Sequence, residues 1–472
     1  MKRIYLITAI LISLAGQTIK AQVPQLWGLT YNCGANNCGS IIKINEDGSG
    51  FLETMYSFDT ITGINPTGSL LKASDGKLYG LLEFGGTDTV HHSGIFFAPG
   101  SGVLFSFDPV YHVYTLLYNF DFNHGAYPTG SLIELSNGKL YGTANWGGAD
   151  TSGVLFCFDL VTHIYTDLHD YNNITTGSNP SPSLLMASNG KLYGTTDQGG
   201  DTLLNRFGEG TLFSFDPSTN MYADLYNFTL LTGNHPRGNL IQATNGKLYG
   251  VTGSGGDTVS NSLGRGVIFS FDPSTNIYTD LYHDTANSFS SLIQATNGKL
   301  YGTNFTGEIF SYDISTNTWT IIHNFSYAIQ NSLIQGSNSK LYGTDLFTVF
   351  STDTLGNNST TVYNFNSFCP SVTTYGALIE LPFNTGLLEK QKQNNEISIY
   401  PNPAKSCINI QLPSLDQNET LQITDVLGRK IYQQTLSEIN TTIDVSKWNE
   451  GVYFYEIISN KEIARGKFVI QK

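Results

Sequence analysis

The strongest constraint on the fold is an internal repeat. The eleven residues LIQATNGKLYG stand at positions 240–250 and again, unchanged, at positions 292–302. Variants of the core GKLYG occur along most of the chain, and their aligned aromatic residues lie 41 to 62 positions apart. These aromatic residues are Trp27, Tyr79, Tyr141, Tyr193, Tyr249, Tyr301 and Tyr342. A period of this length indicates that one structural unit is repeated several times.

Each unit contains four short segments with the character of β-strands. Examples are SLIQAT, KLYGTT, GVLFSFDP and IYTDLYNF, which alternate or are rich in β-branched and aromatic residues. An Asn-Gly or Asp-Gly pair, typical of tight hairpin turns, separates the first two segments in most units. The sequence therefore predicts an all-β protein built from four-stranded antiparallel sheets.

The two ends of the repeat suggest how the sheets close. The repeat begins on a second segment, QLWGLT, and ends on an isolated first segment, GALIEL, at residues 376–381. Pairing of these ends would complete a four-stranded sheet and close a ring without open edges. We expect a seven-bladed β-propeller over residues 22–382. An open solenoid is the alternative, because strand counts alone do not prove closure.

Residues 1–21 have the pattern of a secretory signal peptide. Two basic residues precede an apolar run from Ile4 to Gly16, and the small Ala21 precedes Gln22. The run is short for a membrane-spanning helix, so export is expected and an anchor helix is the alternative. We expect no transmembrane segment in the mature chain. The formal net charge of −14 argues against nucleic-acid binding.

The cysteines suggest one local disulfide. Cys33 and Cys38 bracket the short loop CGANNC, and an exported protein meets an oxidising environment. A metal site is less well supported, because no second Cys or His pair stands at ligand spacing. We expect no metal and no cofactor.

The order GSLI, (D/N)GKLYG, GG and G(V/T)(L/I)FSFDP recurs in most units between residues 25 and 381. This order resembles the GloVer tandem repeats of bacterial "choice-of-anchor" proteins. The FDPSTN portion with its following aromatic residue also looks like a kelch repeat, although the kelch double glycine lies elsewhere in its unit. The GloVer family has no established biochemical activity, so the resemblance implies architecture rather than function.

A polar linker at residues 383–395 and a segment of a different kind, residues 396–472, follow the repeat. Alternating apolar positions and Asp/Gly turns predict a small antiparallel β-sandwich. Its motifs YPNP, DVLGRK, GVY and a terminal GK resemble the type A sorting domain of the type IX (Por) secretion system of Bacteroidetes. The matching residues are Tyr400, Pro401, Asn402, Pro403, Asp425, Gly428, Gly451, Tyr453, Lys467 and Lys472.

The resemblance to the sorting domain implies an export route. The type IX machinery would be a partner of this segment and would carry the chain across the outer membrane. The resulting location is secreted or at the cell surface, where cargo of this kind is either released or tethered to lipopolysaccharide.

The loops predict where a ligand binds. In a four-stranded meander the constant turns, NGK and FDPST, share one face, and the loops of variable length share the other, where binding usually resides. Four variable loops contain Gly-Gly followed by aspartate, and their residues are Asp88, Asp150, Asp201 and Asp257. Trp146, as a stacking platform, and His124, His235 and Arg237, from the links between units, complete the candidate ligand site. The alternative is that each Gly-Gly makes a turn that its aspartate caps.

No catalytic signature accompanies these loops. The sequence lacks HExxH, a GxSxG elbow, a Walker loop and a dinucleotide-binding glycine pattern, and we assign no catalytic residue. We therefore favour a non-catalytic binding module for glycan or protein. The alternative is a secreted carbohydrate-active enzyme, a glycosidase or lyase, with two carboxylates from separate units on the variable-loop face.

Overall fold

The regular structure of the described residues is almost entirely β-strand. In this computed structural model the chain divides into a first unit, Met1–Phe383, and a second unit, Asn384–Lys472. The structure describes residues 23–49, 51–87, 100–181, 183–200, 208–256, 265–283, 289–325, 329, 332–365, 374, 376–381, 398–400, 404–412, 420–425, 429–436, 438–458 and 463–470. The expected signal peptide and linker lie outside these ranges. No helix within them is long and apolar enough to cross a membrane.

The first unit consists of short strands and a 3-10 helix, Phe122–His124. In chain order the strands are β1 (Gln25–Thr30), β2 (Ser40–Asn45), β3 (Glu53–Ser57), β4 (Leu71–Lys72), β5 (Leu78–Leu82), β6 (Val103–Asp108), β7 (Val113–Asn119), β8 (Ile133–Glu134), β9 (Lys139–Ala144), β10 (Val154–Asp159), β11 (Tyr165–Asp170), β12 (Ser178–Pro180), β13 (Leu185–Met186), β14 (Leu192–Gln198), β15 (Thr211–Asp216), β16 (Met221–Asn227), β17 (Ile241–Gln242), β18 (Leu248–Val251), β19 (Val267–Asp272), β20 (Ile277–His283), β21 (Phe289–Gln294), β22 (Leu300–Asn304), β23 (Glu308–Asp313), β24 (Thr318–Asn324), β25 (Ile334–Gln335), β26 (Leu341–Thr344), β27 (Thr348–Thr352), β28 (Thr360–Asn364) and β29 (Ile379–Leu381).

Hydrogen bonds join these strands into successive antiparallel sheets. We number them sheet 1 (β29-β1-β2-β3), sheet 2 (β4-β5-β6-β7), sheet 3 (β8-β9-β10-β11), sheet 4 (β12-β14-β15-β16, with β13 also paired to β14), sheet 5 (β17-β18-β19-β20), sheet 6 (β21-β22-β23-β24) and sheet 7 (β25-β26-β27-β28). In sheet 1 the two ends of the repeat meet, because β29 pairs antiparallel with β1 through Trp27 and Ile379. This is the pairing that the sequence predicted.

The repeated LIQATNGKLYG forms the inner hairpin of a sheet. In sheet 5 the Asn245 side chain accepts a hydrogen bond from the Lys247 amide at 3.1 Å and donates one to the Tyr249 hydroxyl at 2.8 Å. Gly246 has a φ of 83°, which a glycine adopts without strain. Gln242 accepts a hydrogen bond from the Ser188 amide of sheet 4 at 2.7 Å. The motif therefore closes its own turn and fastens its sheet to the preceding one.

The last glycine of the motif is required by packing. Gly250 pairs with Phe269 on the third strand, and a Cβ atom at Gly250 would lie 2.5 Å from the Phe269 ring. Phe269 is fully buried, so the ring cannot move aside cheaply. Equivalent glycine and phenylalanine pairs occur in sheets 2, 3, 4, 6 and 7. The glycine lets the large aromatic ring pack flat against the neighbouring strand.

Aromatic stacking also joins successive sheets. Tyr118 of sheet 2 stacks on Tyr165 of sheet 3, with ring centroids 4.0 Å apart. Tyr226 of sheet 4 stacks on Tyr278 of sheet 5 in the same way, at 4.1 Å. Such rings bury large apolar areas, so the interfaces between sheets form the core of the unit.

The predicted disulfide between Cys33 and Cys38 is wrong. Cys38 is a free cysteine, and its thiol donates a hydrogen bond to the Asn36 carbonyl at 3.3 Å. Cys33 is disulfide-bonded. The physical reason is direction: Cys33 packs into the cluster that contains Leu378, whereas Cys38 packs against the separate cluster that contains Phe58. Two cysteines that are close in sequence do not form a disulfide when their side chains pack into different clusters.

The second unit is also antiparallel β-structure. Its strands are β30 (Ser398–Tyr400), β31 (Cys407–Gln411), β32 (Thr420–Asp425), β33 (Lys430–Thr435), β34 (Asn440–Asp444), β35 (Gly451–Ile458) and β36 (Ile463–Ile470). They form a three-stranded sheet, β30-β31-β34, and a four-stranded sheet, β33-β32-β35-β36. Side chains of both sheets, including Ile408, Ile423 and Ile457, share one buried cluster.

Two motifs of the second unit have structural roles. The Asp425 carboxylate accepts hydrogen bonds from the Arg429 amide at 3.0 Å and from its guanidinium Nε at 2.7 Å, and so closes the turn between β32 and β33. Tyr453 donates a hydrogen bond to the Asn449 carbonyl at 2.9 Å and packs near Trp448. Gly451 begins β35, and Tyr400 and Lys467 lie in β30 and β36. The remaining motif residues, Pro401, Asn402, Pro403, Gly428 and Lys472, lie outside the described residues.

Candidate functional site

A pocket of about 500 Å³ lies in the first unit, where the second strand of each unit ends and the links between sheets enter. Sheets 1 to 4 supply its walls. The lining residues are Tyr31, Thr67, Glu83, Thr129, Asn145, Asn179, Pro180, Ser181, Asp197 and Arg237. A concave site with several convergent polar groups is the usual form of a small-molecule site.

The pocket is built from two equivalent positions of the repeat. The first is the fourth residue after the repeated aromatic residue, at the end of the second strand; it is Tyr31, Glu83, Asn145 and Asp197 in sheets 1 to 4. The second follows a proline in each link; it is Thr67, Thr129, Ser181 and Arg237. Because the sheets repeat one geometry, residues at equivalent positions converge on one place.

An ion pair occupies one wall of the pocket. The guanidinium of Arg237 donates from Nε to Asp197 Oδ1 at 2.6 Å and from its terminal nitrogen to Oδ2 at 3.1 Å. His235 Nδ1 lies 3.3 Å from the same carboxylate and 3.0 Å from the Asp197 carbonyl oxygen. This two-pronged geometry is the one in which arginine holds a carboxylate most firmly.

The ion pair controls the charge of the Asp197 carboxyl. Burial by itself would raise the pKa of Asp197, but the hydrogen bonds from His235 and Arg237 outweigh burial and hold the pKa below its ordinary value. The hydrogen bond with Asp197 likewise raises the pKa of His235. At neutral pH, Asp197 is therefore ionised and its charge is balanced by Arg237.

The pKa of Glu83 is shifted in the opposite direction to that of Asp197. Its side chain is partly buried, and burial raises its pKa to about 7. Its backbone amide donates to the Asn65 carbonyl at 3.2 Å, which fixes the start of the loop after β5. The pocket thus contains two carboxyl groups whose pKa values their surroundings shift in opposite directions.

Three lining side chains have polar atoms without a protein partner. The hydroxyl oxygens of Thr67 and Ser181 and the amide oxygen of Asn145 are shielded from solvent and have no hydrogen-bond partner among the described residues. Ser181 is only 4% exposed, although its amide donates to the Thr195 carbonyl at 2.7 Å. Buried polar atoms are normally paired, so these three oxygens are exceptions among the residues that line the pocket.

The structure brings part of the predicted site together. Arg237 lines the pocket, and His235 lies beside it through Asp197. Trp146 directly follows Asn145 but does not line the pocket, and its backbone pairs with Ala126. His124 lies outside the pocket, exposed and hydrogen-bonded at 2.9 Å to the carboxylate of Asp121.

Of the four aspartates in the predicted ring of carboxylates, one lies within the described residues. Asp150 is exposed, accepts a hydrogen bond from the Asn172 side chain at 3.0 Å, and does not line the pocket. Asp88, Asp201 and Asp257 lie outside the described residues. The preceding glycines have a structural role: Gly147 has a φ of 80°, and a Cβ atom there would lie 2.4 Å from the Phe122 carbonyl oxygen. The ring itself stays a prediction.

Sequence reasoning missed most of the pocket. Glu83, Asn145 and Asp197 stand at one position of the repeat where the units differ, and Thr67 and Ser181 at another. Aligning the units on the repeated aromatic residue and reading the variable positions at strand ends would have found them. Among the described residues, no group of three or more His, Cys, Asp or Glu side chains could hold a metal ion.

Comparisons with known proteins address both units. Residues 97–308 and 177–346 match the Gloeobacter/Verrucomicrobia repeat family, so the matches together cover more than half of the 472 residues. Residues 398–471 match the secretion system C-terminal sorting domain. A comparison with curated proteins finds no match.

Solved structures resemble the chain at low identity. PorZ, an essential bacterial surface component of the type IX secretion system of Porphyromonas gingivalis, is 15% identical with a TM-score of 0.46, over 92% of this chain and 63% of PorZ. The chain thus spans less than two thirds of that protein. A candidate 6-phosphogluconolactonase from Bacteroides uniformis is 14% identical with a TM-score of 0.50, over 77% of this chain and 100% of that one. The second likeness concerns the fold alone.

The sorting domain determines the destination of the chain. A domain of this family indicates a secreted or cell-surface protein and implies interaction with the type IX secretion machinery. The all-β, propeller-like fold of the first unit agrees with the repeat match. The chain is a member of the Gloeobacter/Verrucomicrobia repeat family, joined to a C-terminal secretion sorting domain.

Proposed function

We propose that the first unit is a seven-bladed β-propeller over residues 22–382, with sheets 1 to 7 as its blades. Support comes from sheet 1, which contains both ends of the repeat, and from hydrogen bonds that fasten successive sheets. Residues 383–395 are then a linker, and residues 396–472 a β-sandwich made of the two sheets that share one buried cluster. Small-angle scattering of the full chain would contradict the propeller if it gave the elongated profile of an open solenoid.

The function that the pocket supports best is non-catalytic binding of glycan. The observation that carries this proposal is a concave pocket on which polar side chains of four sheets converge, among them Thr67, Asn145 and Ser181, each with an oxygen that has no partner among the described residues. Leaving a buried polar atom unpaired costs about 1–3 kcal/mol, and sugar hydroxyls can act as donors to such atoms. A concave pocket also suits a sugar better than the broad surface of a protein, which is the other ligand class expected from the sequence.

Glycan binding is tested with the full chain on a glycan array, followed by titration calorimetry on the glycans retained. Replacing both hydroxyls, in the variant Thr67→Val with Ser181→Ala, should weaken binding at least tenfold, because two hydrogen bonds of about 1 kcal/mol each are lost. The matched control is Thr279→Val, at an exposed position of β20, which should bind as the unchanged protein does. Equal binding by the double variant and the control would contradict the proposed site.

Catalysis is the second candidate, and one specific observation favours it. Glu83 and Asp197 line the same pocket, and their pKa values are shifted apart, the first raised to about 7 and the second lowered. One protonated and one ionised carboxyl are what glycoside hydrolysis uses. The bidentate pairing of Asp197 with Arg237 argues against it, because that carboxylate is already engaged.

The two candidates are separated by turnover. Glycans retained by the protein should be recovered unchanged after long incubation, if binding is the function. Cleavage that disappears in both Glu83→Gln and Asp197→Asn, while binding persists, would replace the binding proposal with the enzyme. Retention at the cell surface through lipopolysaccharide is a separate proposal, tested by a mass increase of the surface-extracted chain.

A further inference from the structure

The charged side chains that line the pocket do not balance one another. They are Glu83, Asp197 and Arg237. The guanidinium of Arg237 is already paired with Asp197 through two hydrogen bonds, at 2.6 and 3.1 Å. When both carboxyl groups are ionised, the lining therefore has one uncompensated negative charge, and that charge belongs to Glu83.

The two carboxyl groups differ in their charged neighbours. Asp197 pairs with Arg237 and lies 3.3 Å from His235 Nδ1. Among the described residues no cation forms an ion pair with Glu83, and burial is the one cause that raises its pKa. The ionised form of Glu83 is therefore partly removed from water without any opposite charge beside it, which is an unfavourable arrangement.

The repeat shows which cation is missing. Glu83 and Asp197 stand at the same position of the repeat, in sheets 2 and 4. Arg237 stands in the link after sheet 4, and the equivalent residue in the link after sheet 2 is Thr129, which also lines the pocket. Threonine carries no charge. A cation bound there would do for Glu83 what Arg237 does for Asp197.

A ligand that enters the pocket changes the surroundings of Glu83. It displaces water from the carboxylate, so the ionised form becomes still less favourable unless the ligand compensates it. A sugar hydroxyl supplies a hydrogen bond only. A protonated amine supplies the hydrogen bond together with the opposite charge, and hydrogen bonds between charged groups are the stronger ones. A sugar acid would instead bring a second negative charge next to Glu83.

We propose, resting on the glycan binding proposed above, that the pocket selects a sugar that carries a protonated amine, and that Glu83 is the residue that selects it. The ammonium group lies between Glu83 and Thr129, in the place that corresponds to the guanidinium of Arg237 beside Asp197. The hydroxyl groups of the same sugar bind the polar side chains of the remaining lining.

Amine selection is tested by competition at pH 7 against a glycan that the array retains, with the full chain. The competitors are methyl glucoside, methyl galactoside and the derivatives of each in which one hydroxyl group is replaced by a primary amine, so that parent and derivative have nearly the same shape. At least one derivative should compete at least tenfold more strongly than its parent. No such advantage, or stronger competition by methyl glucuronide than by methyl glucoside, would overturn the amine specificity and leave glycan binding intact. Retention of no glycan would instead overturn the proposed function.

The role of Glu83 is tested with two variants and a control. Glu83→Gln keeps the size of the side chain and removes its charge, so the advantage of the amine should fall below about threefold. Thr129→Arg copies the arrangement of sheet 4 and should have the same effect, because the new guanidinium pairs with Glu83. Glu53→Gln, at an exposed position of β3, should keep the full advantage. An advantage that persists in Glu83→Gln would show general attraction to an acidic protein and overturn the inference.

The pH dependence gives a second measure of the same contact. Because burial raises the pKa of Glu83 to about 7, its ionised fraction falls from about one half at pH 7 to about one tenth at pH 6. The advantage of the amine should therefore shrink about fivefold between these pH values. The other titratable groups at the pocket are Tyr31, Asp197 and His235, and Asp197 raises the pKa of His235. Any change with pH that remains in Glu83→Gln reports these groups, and an advantage that is the same at pH 6 and 7 in the unchanged protein would count against Glu83.

Discussion

The buried carboxyl of Glu83 makes a testable contribution to stability. Burial raises its pKa from an ordinary value of 4.5 to about 7 in the folded protein. At a pH between these two pKa values, the folded state binds the proton of Glu83 more tightly than the unfolded state does. The stabilising contribution is therefore fully present below pH 4.5 and is lost as the pH rises to about 7. The variant Glu83→Gln cannot ionise, so it should gain stability over the unchanged protein across that window.

The size of the gain follows from the pKa values. At 1.36 kcal/mol for each tenfold change in proton affinity, the change in pKa from 4.5 to about 7 corresponds to at most about 3.4 kcal/mol. Glu83 is partly exposed in an open pocket, so water screens part of this cost. We expect Glu83→Gln to be more stable by about 1–2 kcal/mol at pH 8 and indistinguishable at pH 4.5.

The measurement is urea unfolding of the full chain at several pH values between 4.5 and 8, following the transition of the first unit. The control Glu53→Gln removes an exposed carboxylate that lies 3.1 Å from Lys43 Nζ, and exposed ion pairs contribute about 1 kcal/mol or less. The difference in unfolding free energy between Glu83→Gln and the unchanged protein should change with pH. A difference that stays constant from pH 4.5 to 8 would refute the raised pKa of Glu83.

Three further predictions concern other features of the first unit. Arg237→Lys should weaken glycan binding about tenfold in calorimetry, because lysine cannot hold a carboxylate with two parallel bonds, and unchanged affinity would count against the ion pair as part of the site. Cys33→Ser should lower the free energy of unfolding by about 2–4 kcal/mol under oxidising conditions, whereas the free Cys38→Ser should cost less than about 1 kcal/mol; similar losses in both would contradict the assignment. Gly147→Ala should destabilise by at least about 2 kcal/mol in urea, but Gly138→Ala, with a similar positive φ and open space around it, should cost only about 1–2 kcal/mol, so equal effects would show that the loop can shift.

The repeated hairpin could be predicted from sequence because its determinants are local. Asn245 and Gly246 make the turn, and alternation makes the flanking strands, through interactions within a few residues. The pairing of QLWG with GALIEL was also predictable. The first repeat unit lacks its first strand, and GALIEL is a first strand with no other strands after it in the repeat. The sorting domain was identified because its motifs occur in a fixed order. These features depend on interactions between residues close in sequence, on the number of strands in each unit, or on the order of motifs.

The disulfide and the pocket could not be predicted in this way. Cys33 and Cys38 are close in sequence, but each packs into a different buried cluster, and only the folded chain separates them. Glu83 and Ser181 carry no motif, since they stand where the units differ from one another. The sequence by itself determined the repeated unit and the export of the protein. The tertiary structure alone decided which variable residues meet, because that depends on how successive sheets pack against one another.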